Sequence, residues 1–193
     1  MTTLTNIANN ALRHLKSQRV IIDITLNGAT ENVLRAAYPD VRDAVLRAHP
    51  WNCARRQFSL PAMGAAPLFG FANQYLLPAD PWCLRVLSLN ESDGRESDYD
   101  WVVSGRVLQT DMPAPATGWF IARIGEDQMD AQLADCIAAK LAHDCCGALG
   151  GSTARKDEML RAYKDMLPEA RSVNAMESGP DEEEISSIEA ARG

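Results

Sequence analysis

The chain has 193 residues, of which 46% are hydrophobic, and a formal net charge of −7. No stretch approaches the roughly 20 apolar residues of a membrane span, and the first residues lack the basic and apolar segments of a secretory signal. The five cysteines are an odd number without paired spacing, which argues against a disulfide framework. We therefore expect one globular domain, made in a reducing cytoplasm and not associated with a membrane.

The negative charge is concentrated at the end of the chain. Residues 177–193 contain six acids and one base, for a charge of −5, so the remaining 176 residues carry only −2. A protein that grips nucleic acid through its phosphates needs a dense basic face. Because no basic run is present, we expect DNA to pass close by at most, without specific binding.

Two amphipathic helices are predicted at the start of the chain. The first covers residues 4–15, with Thr3 or Thr5 as its capping residue. Residues 20–24 are a short apolar run, predicted as an extended connection or a strand. The second helix covers residues 30–48 with Thr30 as its N-cap, and Pro39 predicts a break, a kink or the first turn of a new helix.

The residue pattern changes from helical to β-rich between residues 57 and 124. The predicted strands lie at residues 58–60, 75–77, 83–89, 99–103, 106–109 and 119–124. A two-residue hairpin turn is predicted at Ser104 and Gly105. Residues 78–81 form a Pro-Asp corner, which Asp80 is expected to cap through backbone N–H groups. Residues 90–97 are polar and predict a flexible loop.

Helical patterning returns after residue 125. Residues 126–149 form the strongest predicted helix, with acids at its start and alanines that let a neighbouring helix approach closely. Glycines end it, Ser152 caps the next helix, and Pro168 breaks or kinks that helix. The sequence thus predicts an α+β, mainly α fold. A helical bundle spans residues 1–56 and 125–176, an antiparallel β-rich lobe is inserted at residues 57–124, and residues 177–193 are a flexible acidic tail.

Few residues suggest chemistry. His143, Cys145 and Cys146 lie close together, but metal sites need ligands from several elements. His49 and Cys53 are near in sequence, yet no oxyanion loop flanks them. We therefore predict no catalytic site, no cofactor and no metal. The enzymatic alternative is a small thiol hydrolase that uses Cys53 or Cys145. The four tryptophans are predicted to fill the seam between helices and sheet, and Arg56 and Arg85 to pair with nearby acids.

Four segments in a fixed order carry a family resemblance. They are residues 9–15, residues 38–46 leading into Trp51 and Ala54, the corner with Tyr75, Pro78, Asp80 and Arg85, and the alanine-rich helix followed by residues 163–167. In this order they resemble the head-to-tail connector, or adaptor, proteins of tailed bacteriophages, the tail tubular protein A-like family. The family-signature structural residues carried over are Trp51, Ala54, Arg56, Tyr75, Pro78, Asp80 and Arg85.

The resemblance implies a structural virion protein with no catalytic role. Such proteins form a ring, usually of twelve copies, below the portal; the ring extends the DNA channel and provides the platform for tail attachment. The implied partners are the portal protein, tail or nozzle proteins and other copies of the chain. The implied location is the virion neck, after assembly in the host cytoplasm, where we expect a monomer until the portal provides a template.

We further hypothesise that residues 168–193 dock on the portal, because a disordered terminal segment can order on a partner. The predicted docking residues are Pro168, Arg171, Val173, Met176, Ile185 and Ile188. A neck or tail-completion protein that binds the tail instead of the portal is the closest alternative. A DNA-binding or terminase-associated factor is another, although the charge balance counts against it.

Overall fold

The chain folds as two helices, six strands and two further helices within the part that the computed structural model describes, residues 2–90 and 99–177. The elements are α1 (Leu4–His14), α2 (Ala29–Ala48), β1 (Arg55–Leu60), β2 (Asn73–Leu76), β3 (Cys83–Leu89), β4 (Trp101–Ser104), β5 (Val107–Thr110), β6 (Ala116–Ala122), α3 (Ala131–Cys145) and α4 (Thr153–Met176). The predicted α+β, mainly α fold is confirmed, with the strands inserted between α2 and α3. The β segment begins at Arg55, two residues before the predicted boundary.

Helix α3 is the centre of the helical part, since it packs against α1, α2 and α4. Its buried residues include Ala134, Ala138 and Ala142, whose small side chains allow close approach of the neighbouring helices. Ile137 and Leu141 are fully buried on the same helix. The alanine-rich pattern therefore predicted the role of this helix correctly.

The helix caps explain where the helices begin. Thr3 Oγ1 accepts a hydrogen bond from the Asn6 N–H, and Ser152 Oγ accepts one from the Arg155 N–H, as predicted. Two predictions were wrong. Helix α2 begins after Gly28 and not after Thr30. Helix α3 begins after Asp130, five residues later than predicted, because the Asp130 carboxylate accepts the Leu133 N–H and terminates the helix there.

Both helical prolines lie within continuous helices. Pro39 is inside α2 and Pro168 is inside α4, and neither ends its helix. Both side chains are exposed, so the carbonyl that loses its N–H donor can be hydrated on the outer face of the helix. The predicted break at each proline is therefore not observed.

The strands form two antiparallel three-stranded sheets, with orders β1-β6-β3 and β2-β5-β4. The apolar run at residues 20–24 joins no strand. It is an extended connection whose Ile21 backbone N–H and C=O both bond to the Asn9 side chain at 2.8 Å. Gly118 on β6 has no room for a side chain, because a Cβ there would lie 2.2 Å from the Ser88 carbonyl oxygen.

The β4–β5 hairpin turn is one residue later than predicted. Ser104 pairs with Val107, so Gly105 and Arg106 form the turn. Gly105 has a φ of +60°, a left-handed conformation that glycine adopts without strain. This shift places Arg106 at the turn, where its side chain is free to leave the hairpin.

A single hydrophobic core joins the helical and β-rich parts. It includes Ile7 of α1, Leu34 of α2, Trp51, Phe120 of β6 and Ile137 of α3, all at most 2% exposed. The inserted strands therefore stabilise the helices directly through shared packing. The predicted acidic tail, apart from Glu177, lies outside the described residues, as does most of the predicted loop at residues 90–97.

Candidate functional site

The cysteine thiols are poorly suited to nucleophilic chemistry. Burial raises the pKa of four of them to about 11, namely Cys53, Cys83, Cys136 and Cys145. A thiol with such a pKa stays protonated at neutral pH, and the thiolate is the reactive form. The site of the thiol-hydrolase alternative is therefore chemically unfavourable at both Cys53 and Cys145.

His49 and Cys53 have different partners. The Cys53 Sγ lies 3.8 Å from Asp130 Oδ2, and the His49 Nε2 lies 3.4 Å from the Asn174 Nδ2. The His49 ring also contacts the Trp51 ring edge-on, with centroids 4.8 Å apart. These contacts hold His49 in the packing between α4 and the turn after α2.

The His143 region is an ion-pair cluster. Asp144 Oδ1 lies 2.6 Å from both His143 Nδ1 and Lys140 Nζ. Among residues 2–90 and 99–177, no group of three histidine, cysteine, aspartate or glutamate side chains is close enough to hold a metal ion. This cluster therefore has the contacts of surface ion pairs, with no third ligand directed at it.

Three of the signature residues form the interior of the fold. Trp51, Ala54 and Tyr75 are fully buried. The Trp51 indole N–H donates to the Val45 carbonyl at 3.0 Å, and the Tyr75 hydroxyl donates to the Met112 carbonyl at 2.7 Å. These three residues therefore stabilise the packing of the fold and do not contact solvent.

Arg106 holds the Pro-Asp corner. Its guanidinium donates to the carbonyls of Leu77 (3.1 Å) and Cys83 (2.9 Å) and to that of Pro78, and its Cζ lies 3.8 Å from the centre of the Trp82 ring. Arg106 is not among the predicted site residues, because no local signal in the sequence identifies it. Its partners are more than 20 residues away along the chain, so only the tertiary structure brings them together.

The predicted roles of Asp80, Arg56 and Arg85 were wrong. Asp80 is exposed, and its carboxylate accepts no hydrogen bond from any described residue. Arg56 donates to the carbonyls of Cys53 and Arg55 and to the Gln128 side chain instead of an acid. Arg85 has no acidic partner in the described part of the chain. The corner is stabilised by arginine donors to carbonyls, which replace the expected carboxylate cap.

A cleft of about 670 Å³ opens beside this corner. We call it the arginine cleft and define it by its lining side chains Arg47, Trp82, Arg85, Trp101, Val102, Val103 and Arg106. The Arg47 guanidinium is fixed by a 2.6 Å hydrogen bond to the Leu84 carbonyl. Burial, followed by the nearby Arg47 charge, lowers the pKa of Arg85. Positive charge is thus held in the cleft without neutralisation by a described carboxylate.

The tryptophans divide between core and surface, which corrects the prediction that all four fill the seam. Trp51 is buried, whereas Trp82 is 40% exposed and Trp101 is half-buried. Trp119 is also half-buried and lies under the Arg55 guanidinium, 4.8 Å from its Cζ. Trp51 therefore fills the core as predicted, Trp101 packs partly buried against the core, and Trp82 and Trp119 lie outside it.

The predicted docking residues of α4 lie on two different faces. Pro168 and Met176 are exposed, and Met176 is 79% exposed. Arg171 and Val173 are half-buried and turn towards the fold, and the Arg171 Nε is buried. Ile185 and Ile188 lie outside the described residues. The outer face of α4 is thus accessible at Pro168 and Met176.

A second apolar surface lies on the loop between β1 and β2. Leu68 is 98% exposed and Phe69 is 85% exposed, next to each other at the loop tip. Single exposed apolar residues are common, but two adjacent large ones at a loop tip are typical of a contact with another protein. We call these two residues the apolar loop tip.

No protein-family model matches the chain, and no curated protein matches its sequence. Within the described residues, no helix combines the length and apolar character needed to cross a bilayer.

Proposed function

We propose that this chain is a structural head-to-tail adaptor of a tailed bacteriophage. In this role, copies of the chain form a ring below the portal, extend the DNA channel and provide the attachment platform for the tail. The resemblance in the four sequence segments motivates the proposal. The physical support comes from the exposed surfaces of the fold, which suit contacts with several protein partners.

The observation that carries the proposal is that the described chain has separate exposed apolar surfaces with no residue in common. One is the apolar loop tip of Leu68 and Phe69, and another is the outer face of α4 at Met176. A ring subunit that binds its neighbours head to tail needs two different surfaces, because heterologous contacts close the ring. The apolar loop tip suits the contact between copies, and the α4 face suits the portal.

The electrostatic balance is compatible with a DNA channel. Outside residues 177–193 the chain carries a charge of only −2. A nearly neutral wall neither traps DNA phosphates nor repels them strongly, so DNA can slide past it. The poor thiol chemistry described above leaves assembly as the function that the residues support best.

The test is cryo-electron microscopy of phage particles purified from cells in which this chain is produced. We expect a ring of this protein directly below the portal, with the α4 end facing the portal. A particle without this chain would overturn the proposal. A ring that contacts only tail proteins would favour the neck or tail-completion alternative.

Portal binding provides a second test with purified proteins. Removal of residues 168–193 would also remove Ala170 and Asn174, which are buried in the fold, so its effect would be ambiguous. The sharper variant is Met176→Glu, which changes only an exposed side chain. We expect loss of co-purification with the portal, whereas Lys156→Gln, an exposed change at the other end of α4, leaves it intact. Equal binding by both variants would remove the α4 face from the proposal.

A further inference from the structure

The arginine cleft concentrates positive charge that has no carboxylate partner in the described part of the chain. Arg47, Arg85 and Arg106 line it together, and none of them pairs with a carboxylate of residues 2–90 or 99–177. Arg47 and Arg106 are fixed by hydrogen bonds to backbone carbonyls, which hold the guanidinium groups without neutralising them. Fixed positive charge suits a carboxylate ligand. Arg47 and Arg85 keep donors for bidentate binding of a carboxylate, whereas Arg106 contributes mainly charge because its donors already bond to three carbonyls.

The other wall of the cleft is apolar and exposed. Val102 is 49% exposed, Val103 is 39% exposed and Trp82 is 40% exposed. Trp101 adds a half-buried aromatic side chain. A ligand that fits this cleft therefore combines several carboxylates with aliphatic groups, and an acidic peptide with interspersed large aliphatic residues has this composition.

We propose that the arginine cleft binds the acidic C-terminal segment of the same chain, residues 181–189. This segment reads Asp-Glu-Glu-Glu-Ile-Ser-Ser-Ile-Glu. Its carboxylates match the three cleft arginines, and Ile185 and Ile188 match the apolar wall of Val102 and Val103. The segment thus supplies carboxylates for the arginines, which have none among their described neighbours, and aliphatic side chains that can cover the exposed valines.

The end of α4 lies against the turn that follows α2, the helix that contributes Arg47 to the cleft. Asn174 bonds to Asn52 twice, at 2.8 Å and 2.6 Å, and so fixes the end of α4 against the turn after α2. The adjacent His49 experiences the charges of both Arg171 on α4 and Arg85 in the cleft. The segment begins only four residues after Glu177, and an extended chain advances about 3.3–3.6 Å per residue. Four extended residues reach about 14 Å. A flexible tether this short gives the segment an effective concentration at the cleft in the millimolar range.

This inference concerns the isolated chain and does not depend on the proposed function. A protein partner that binds either the cleft or the segment must first separate them. The cleft is thus self-occupied until a competing surface replaces the acidic segment.

The test uses a fluorescent synthetic peptide of residues 178–193 and two proteins, the full chain and a chain ending at Glu177. We expect the peptide to bind the shortened chain and to bind the full chain about 100-fold more weakly, because the tethered segment already occupies the cleft. Binding to the shortened chain should weaken as salt is raised. Equal affinity for both proteins, or no binding to the shortened chain, would overturn the proposal.

Matched variants locate the site. In the shortened chain, Arg85→Gln and Arg47→Gln should each weaken peptide binding, whereas Arg13→Gln, an exposed change on α1, should not. A peptide with Glu182, Glu183 and Glu184 changed to Gln should also bind weakly. Unchanged binding by both cleft variants would place the segment elsewhere and overturn the proposal.

The oligomeric state in solution shows whether the cleft holds the segment of its own chain or that of a second copy. If the segment binds within its own chain, both the full and the shortened proteins stay monomeric at all concentrations. A full chain that dimerises with increasing concentration, while the shortened chain stays monomeric, would assign the cleft to the segment of a second copy and contradict binding within one chain.

Discussion

Two Pro-Trp pairs occupy opposite environments in this protein. Trp51 follows Pro50 at the end of α2 and is fully buried, with its indole N–H bonded to the Val45 carbonyl. Trp82 follows Pro81 at the corner before β3 and is 40% exposed. Each tryptophan precedes a cysteine within two residues, so the local sequence hardly distinguishes them.

The difference shows how the surroundings decide the role of a residue type. Trp51 lies where α2, β6 and α3 contribute to one core, and its polar atom is satisfied internally. Trp82 lies beside Arg106 and Arg123, whose Cζ atoms are 3.8 Å and 5.4 Å from its ring centre. One tryptophan stabilises the fold and the other presents an aromatic surface next to the arginine cleft.

The largest expected effect comes from replacing the buried or the exposed tryptophan with alanine. Trp51→Ala should lower the free energy of unfolding by about 3–5 kcal/mol, because it leaves a cavity in the core. Trp82→Ala should lower it by only about 1 kcal/mol, the scale of an exposed cation–π contact. Urea denaturation measures both values. Similar losses for the two variants would show that the corner contributes to the fold as much as the core does.

A smaller effect is expected where α4 meets the turn that follows Trp51. Asn174→Ala should lower the free energy of unfolding by about 1–3 kcal/mol, because the Asn52 backbone N–H loses its acceptor, the Asn174 Oδ1. The bond from the Asn52 side-chain amide to the Asn174 backbone carbonyl remains. Ser172→Ala, an exposed change two residues earlier, serves as the control and should change stability by less than about 0.5 kcal/mol. If the control is equally destabilising, the loss does not come from the bond to Asn52.

The smallest effect is a pH dependence at His49, the neighbour of the buried Pro-Trp pair. Burial, and then the charges of Arg171 and Arg85, lower the pKa of His49 below its usual 6.5. The unfolded chain therefore binds a proton more readily than the folded chain. The associated stability is complete above pH 6.5 and is lost as pH falls from there through the lowered pKa.

Denaturation across this pH range checks the expectation. We expect the free energy of unfolding of the unaltered chain to decline below pH 6.5, and His49→Gln to show a shallower decline because it lacks the titrating group. Parallel curves for the two proteins would indicate that the acid sensitivity comes from other groups.

Local patterns in the sequence predicted which segments are helical better than they predicted the residues where the helices begin. The apolar period located all four helices of the described chain, and Thr3 and Ser152 were identified as caps. The start of α3 was misplaced because Glu126, Asp127 and Asp130 all suit the first turn of a helix, and only the backbone geometry selects Asp130 as the N-cap. The hairpin turn moved by one residue for a similar reason, since strand register depends on pairing across the whole sheet.

The sequence by itself determined the mainly α fold, the inserted strands, the separation of the acidic segment and the absence of a disulfide pattern. These properties depend on composition and on contacts between residues close in the chain, which periodicity reports directly. Only the tertiary structure decided that Trp82 is exposed and that Arg47, Arg85 and Arg106 share one cleft. Those arginines come from α2, β3 and the β4–β5 turn, and their meeting depends on packing between distant elements.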